Sequence, residues 1–125
     1  MQNPETQPKR IGAELEERTL RFTVEVVAFV GLLSRTEPAA VIGRQMLRAA
    51  ASIGANYREA NRAESRADFV HKTALSQKEA SETVYWIEVC RRAEFGPAAR
   101  TAQLADEANQ LLAIFTTINR KAKGH

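Results

Sequence analysis

The stretch "SIGANYREANRAESRADFVHK", residues 52–72, decides the fold. Its first half has helix-forming composition, yet an Asn and a Tyr sit where an apolar stripe should run, and Arg recurs beside them. Laid out at about 100° per residue, Ile53 and Ala60 fall on one side, Asn56 at its margin, and Arg58 and Arg62 outside. "AESRAD" then interrupts the helix, with Ser65 as the N-cap of a second one in which Phe69 restarts the core. The stretch reads as a joint between two long helices.

Working outward, the same period recurs in three more places. From about Ala13 to Ser34, the residues Leu15, Thr19, Phe22, Val26, Phe29 and Leu33 step by four and three along one face. A second apolar group on this segment, Leu20, Val24, Val27 and Gly31, lies about 140° away. Two apolar faces exceed what one bundle contact requires: either the helix is deeply buried, or Leu20, Val24 and Val27 form an oligomer interface. The shortness of the chain favours the interface. "SRTEPAA" opens the second helix, Glu37 to Asn61, with Thr36 as cap and Pro38 in the first turn. The third helix, Arg66 to Ala93, lines up small residues, Thr73, Ser76, Ala80 and Thr83, with Phe69, Ile87 and Cys90. "EFGPAA" ends it, and Leu104, Ala108, Leu111, Phe115 and Ile118 mark a fourth from Pro97 to Lys121.

No stretch alternates as a strand does, so the chain is predicted to be all-α. Four helices with short connections give a single-domain, antiparallel, up-down-up-down four-helix bundle. A spacing near 3.5 implies left-handed packing at about 20°. The expected organisation is a disordered polar arm over residues 1–12, the bundle over 13–121 and a basic tail over 122–125.

Composition bounds the function. Of the 125 residues, 44% are apolar and 26% charged, a globular balance, and 18 Lys and Arg against 15 Asp and Glu leave a net charge of +3. That charge permits a polyanionic partner without demanding one. One cysteine, Cys90, excludes an internal disulfide and a cysteine zinc site and fits a reducing compartment. No window approaches the roughly 18 apolar residues of a membrane span, and "MQNPETQPKR" lacks the apolar core of a secretion signal. The expected location is the cytoplasm, with no membrane association.

Arg44, Arg48, Arg58 and Arg62 fall within about 40° of one direction on the second helix, with Ala51 and Ala55 between the pairs. Guanidinium groups so arranged could track a nucleic-acid backbone, RNA or DNA, without reading sequence. Their bland alternative is a solvated face or pairing with carboxylates. Asn56 is expected to fix register, and Glu59 flanks the arginines. Glu79 and Glu82, beside Trp86, invite a metal hypothesis, but a di-iron bundle needs Glu-x-x-His on two helices. The only internal histidine is His71, so these carboxylates read as structural glue with arginines or lysines. No nucleophile elbow or phosphate loop is present. Neither an enzyme nor a cofactor is expected.

Two strings carry a resemblance over most of the chain: "LRAAASIGANYREANRAESRADFVHK", Leu47 to Lys72, and "KEASETVYWIEV", Lys78 to Val89. They resemble the "SIGANxREA…S…DFxxK" and "KEAxETxYWL" blocks of the bacterial four-helix bundle family found in intervening sequences of large-subunit ribosomal RNA genes. Tyr57 stands where that family has an aliphatic residue, and Ile87 where it has Leu. The resemblance implies a left-handed bundle assembling into a ring, typically a homopentamer, with no catalytic residues to carry over. It is also similar to the accessory variability protein of diversity-generating retroelements, which implies a reverse transcriptase and nucleic acid as partners. Two classes of function follow: a ring that binds nucleic acid through its arginines, or a protein scaffold whose arginines pair with Glu79, Glu82 or the acids Glu14, Glu16 and Glu17.

Overall fold

A computed structural model describes residues 12–124. Four helices account for nearly all of them: α1 Ala13–Gly31, α2 Glu37–Ala60, α3 Arg66–Ala93 and α4 Ala98–Ala122. No strand occurs among the described residues. Of the expected polar arm, all but Gly12 lies outside the described residues, as does His125 of the tail. The helical bundle runs one residue further than expected, to Ala122, and α1 stops at Gly31, short of Ser34. Pro97 is the N-cap of α4, outside its first turn.

Each helix packs against its chain neighbours, and α4 returns to α1 through the sparsest of the four interfaces. Cross-helix bonds fix the directions. Glu16 at the start of α1 meets Asn61 just after α2, Arg48 of α2 meets Glu82 of α3, and Thr73 early in α3 meets Asn119 late in α4. All neighbours are therefore antiparallel, as connections of four or five residues require. Across one diagonal, the Tyr57 ring of α2 meets the Phe115 ring of α4 edge-on at 5.3 Å. Tyr57 thus belongs to the core, with Phe22, Val26, Phe29, Met46, Ile53, Ile87 and Leu111.

The α2 and α3 faces turned inward are built of small residues. Ala49, Ala50 and Ala60 are buried on α2, and Thr73, Ser76, Ala80 and Thr83 on α3. A buried hydroxyl without a partner costs about 1–3 kcal/mol, and here each one has a partner. Ser76 Oγ donates across the interface to the Ile53 carbonyl at 2.8 Å, and Thr83 Oγ1 donates to the Glu79 carbonyl of its own helix at 2.7 Å. Gly54 brings α2 onto α1: a Cβ there would stand 2.9 Å from Thr19 Oγ1 and 3.1 Å from Thr19 Cβ. Phe69 is only half-buried, so the core resumes in α3 at Thr73.

The α3–α4 turn uses the left-handed region twice, once at a residue with a side chain and once at a glycine. Glu94 closes α3 at φ 58°, a left-handed conformation that costs a side-chain-bearing residue. Gly96 follows at φ 78°, where a Cβ would also stand 2.7 Å from Phe29 Cζ in the core. Replacing Gly96 by Ala is expected to destabilise the fold by about 1–3 kcal/mol through backbone strain and overpacking. Glu94→Gly is expected to stabilise it by about 0.5–1 kcal/mol. Urea unfolding followed by circular dichroism checks both. An unmoved midpoint for Gly96→Ala would contradict the steric account.

Candidate functional site

The residues singled out from sequence separate into three groups. The first is a bridge between α2 and α3. Arg48 reaches Glu82 at 2.7 Å and Glu79 at 3.2 Å, while the Trp86 indole N–H donates to the same Glu82 oxygen at 3.2 Å. Burial, and then the neighbouring Glu82, raise the Glu79 carboxyl above the ordinary glutamate value. The hydrogen bond from Arg48 lowers Glu82. Lys72 continues the same seam, 3.8 Å from Glu59. These contacts tie two helices together, and no cluster of three or more His, Cys, Asp or Glu that could hold a metal occurs among the described residues.

The second group lies at the α1–α2 end. Glu16, with its side chain 9% exposed, faces Arg62 at 3.4 Å and Arg58 at 3.9 Å. Asn61 Nδ2 donates to it at 2.9 Å. Three of the four striped arginines therefore lie beside carboxylates of a neighbouring helix. Arg44 makes no ion pair among the described residues. The stripe is real as a direction on α2, but most of its charge is spent inside the chain.

The third group is apolar. Leu20, Val24 and Val27 are 58%, 59% and 52% exposed, in line on the outer face of α1. Deep burial of α1 within one chain is thereby excluded, since its second apolar face meets solvent. A groove of about 370 Å³ runs beside it between α1 and α2, its walls including Thr19, Leu20, Ala51, Gly54 and Ala55, with Arg58 among the polar residues lining it. The groove is lined by small and apolar residues and by Glu16, Glu17 and Arg58.

Asn56 does not cross to another helix: its Nδ2 donates to the Ser52 carbonyl one turn back. The amide that pins register is Asn119, buried between α3 and α4. Its Oδ1 accepts from Thr73 Oγ1 at 2.7 Å, and its Nδ2 donates to the Thr73 carbonyl at 3.0 Å and to Gln77 Oε1 at 2.6 Å. The signal was in the sequence, because Asn119 follows Phe115 by four, on the stripe itself. The clamp between α1 and α4 had none: Arg18 forks onto Glu107 at 2.7 and 2.8 Å and reaches Gln110 at 2.8 Å. Cys90 is fully buried, and burial pushes its thiol up to about 11, so it is no nucleophile.

Comparison with known proteins fits this geometry. The sequence model of a family described as 23S rRNA-intervening sequence protein matches residues 14–117. The chain is also similar to a crystal structure of a protein of unknown function from the S23 ribosomal protein family of Bacteroides thetaiotaomicron. The two are 33% identical and superpose with a TM-score of 0.77, over 84% of this chain and 97% of the other. No curated protein matches.

The Arg48 bridge makes a pH-dependent contribution whose sign can be worked out. A lowered carboxyl stabilises the fold above the ordinary value of 4.5, and that contribution is lost as pH falls through the lowered value. Glu79, being raised, works the other way: its stability cost appears as pH rises above 4.5. Removing Arg48 takes away the largest cause of the lowering of Glu82 and one of the influences that restrain Glu79. Arg48→Gln is therefore expected to lose more stability at pH 7 than at pH 3, by urea denaturation at both. An equal loss at the two values would show that the guanidinium contributes by packing alone.

Proposed function

The chain belongs to the 23S rRNA-intervening sequence protein family, and from that premise we propose that it is a non-catalytic helical scaffold assembling with copies of itself through the outer face of α1. The carrying observation is the row Leu20, Val24 and Val27, each more than half exposed. Single exposed apolar residues are ordinary, whereas a row beside an apolar groove marks a contact surface. Full burial of such a side chain contributes about 1.5–3 kcal/mol, so covering the exposed part of all three is worth about 3–5 kcal/mol. The small residues Ala51, Gly54 and Ala55 along the groove let a neighbouring element approach closely.

The assembly is a closed ring, five copies in keeping with the family resemblance, in which the stripe of each copy meets a different face of the next. Scaffolding is further supported by the pairing of Arg48 with Glu79 and Glu82, and of Arg58 and Arg62 with Glu16. Nucleic-acid binding is a second reading, and what favours it is narrower than the full stripe: Arg44, which has no carboxylate beside it.

Light scattering coupled to gel filtration is the test. The wild-type protein is expected at an integral multiple of 13.9 kDa. Leu20→Glu with Val24→Glu is expected to run as a monomer of unchanged helical content, since both side chains point away from the core. A monomeric wild type would end the proposal.

A further inference from the structure

We propose that the cavity under the α1–α2 turn binds a phosphate group through Arg35 and Arg44, presented either by a nucleic-acid strand or by a free nucleotide. The cavity measures about 380 Å³ and is lined by Val30, Leu33, Ser34, Arg35, Ala40 and Arg44, among others. Its location at the end of the bundle is independent of the α1 stripe, so the inference does not rest on assembly.

The charge distribution singles this cavity out. Most other arginines are engaged: Arg18 with Glu107, Arg48 with Glu79 and Glu82, Arg58 and Arg62 with Glu16, Arg91 and Arg92 with Glu88. Arg21, Arg100 and Arg120 also make no ion pair among the described residues, but Arg21 shares its concavity with Glu14 and Glu17, Arg100 shares one with Glu25, and Arg120 lines none of the cavities described. Arg66 donates to the last carbonyl of α4, that of Ala122. Arg35 and Arg44 form no ion pair among the described residues, and the lining contains no acid. Two uncompensated guanidinium groups on one concavity focus positive potential there, more than either would on a convex surface. Guanidinium is also the cation whose forked donors match phosphate oxygens.

The walls suit a phosphate attached to something larger. Gly31 lies on this cavity, and a side chain added there would meet nothing within 4 Å, so the end of α1 stands open to an approaching chain. Val30, Leu33 and Ala40 provide apolar surface for a sugar or base next to the charged pair. The Phe29 and Val30 carbonyls near the end of α1 are occupied, by the N–H groups of Leu32 and Leu33, so these two do not present bare acceptors to an anion. On the opposite wall α2 begins with Glu37 and Pro38, an acid and a residue without an N–H, so the positive charge at the cavity comes from the two arginines and not from the helix end.

The test is fluorescence anisotropy on the full chain with a labelled single-stranded RNA and a labelled DNA duplex, titrated against salt. Wild type is expected to bind at low salt. In Arg35→Gln with Arg44→Gln, affinity for the single strand should fall about tenfold, and the slope of log K against log salt should flatten by about 1.4, two phosphate contacts' worth. Arg91→Gln with Arg92→Gln removes the same formal charge from arginines already held by Glu88, and is expected to change little. Each single variant, Arg35→Gln and Arg44→Gln, should show about half the slope change, which keeps the test open if the double variant folds poorly. Competition with AMP and inorganic phosphate separates the sources. Displacement by AMP at concentrations comparable to the strand assigns the cavity to a nucleotide, and displacement only by polymer assigns it to a strand. No binding of strand, AMP or phosphate at low salt, or equal losses in the two double variants, would overturn the assignment.

Discussion

The close approach of α2 to its neighbours is the constraint on which the rest of the structure depends. Gly54 sits where a Cβ would collide with Thr19 of α1, and on the other flank Ser76 of α3 comes near enough to bond the Ile53 carbonyl. Small residues let backbones approach, and interiors packed to crystal-like density transmit any added bulk to the neighbouring helix. With its inward sides made largely of Ala, Gly and Ile, α2 carries its long side chains on the rims. There Arg48 reaches α3, while Arg58 and Arg62 reach α1. The arginine stripe is in this sense a product of the packing: it flanks a helix squeezed from both sides.

Close approach also explains a core with so many hydroxyls. Thr19, Thr73, Ser76, Thr83 and Thr101 are all buried; Thr73 donates to the side-chain carbonyl of Asn119, and the others donate to backbone carbonyls of their own or a neighbouring helix. No buried side-chain nitrogen or oxygen among the described residues lacks a partner. Such residues fill little volume, so specificity must come from elsewhere. Asn119 supplies it for α3 and α4, because a slip in register would strand its amide away from Thr73 and Gln77 at a cost of about 1–3 kcal/mol per orphaned group. The α1–α4 side, where packing is sparsest, is held by the forked Arg18–Glu107 pair instead.

Functionally, the consequence is a surface sorted by what the fold has already consumed. Charges near the α2 rims are neutralised within the chain, and the carboxylate pair Glu79 and Glu82 serves Arg48. What is left over includes an apolar row on α1 and two arginines that share one cavity at the α1–α2 turn. Those remainders, rather than the residues most conspicuous in sequence, carry the functional readings. A guanidinium beside a carboxylate must break that contact before it can meet a phosphate, whereas Arg35 and Arg44 have nothing to give up.

The sequence by itself determined the four helices, their order and most of the core, because apolar period and turn chemistry act over a few residues and are legible without partners. It also marked Leu20, Val24 and Val27 as a second face on α1, since two stripes on one helix are visible in spacing alone. It could place Tyr57 and Asn56 next to each other but not say which turned inward; only the ring of Phe115 from α4 decided that. Likewise the direction shared by Arg44, Arg48, Arg58 and Arg62 was legible, but their partners were not. Whether an arginine is free depends on carboxylates more than thirty residues away, as Glu79 is from Arg48, and such distances close only when helices pack. Tertiary structure therefore decided which charges are available, for the physical reason that ion pairing is set by proximity in space while helix formation is set by proximity in the chain.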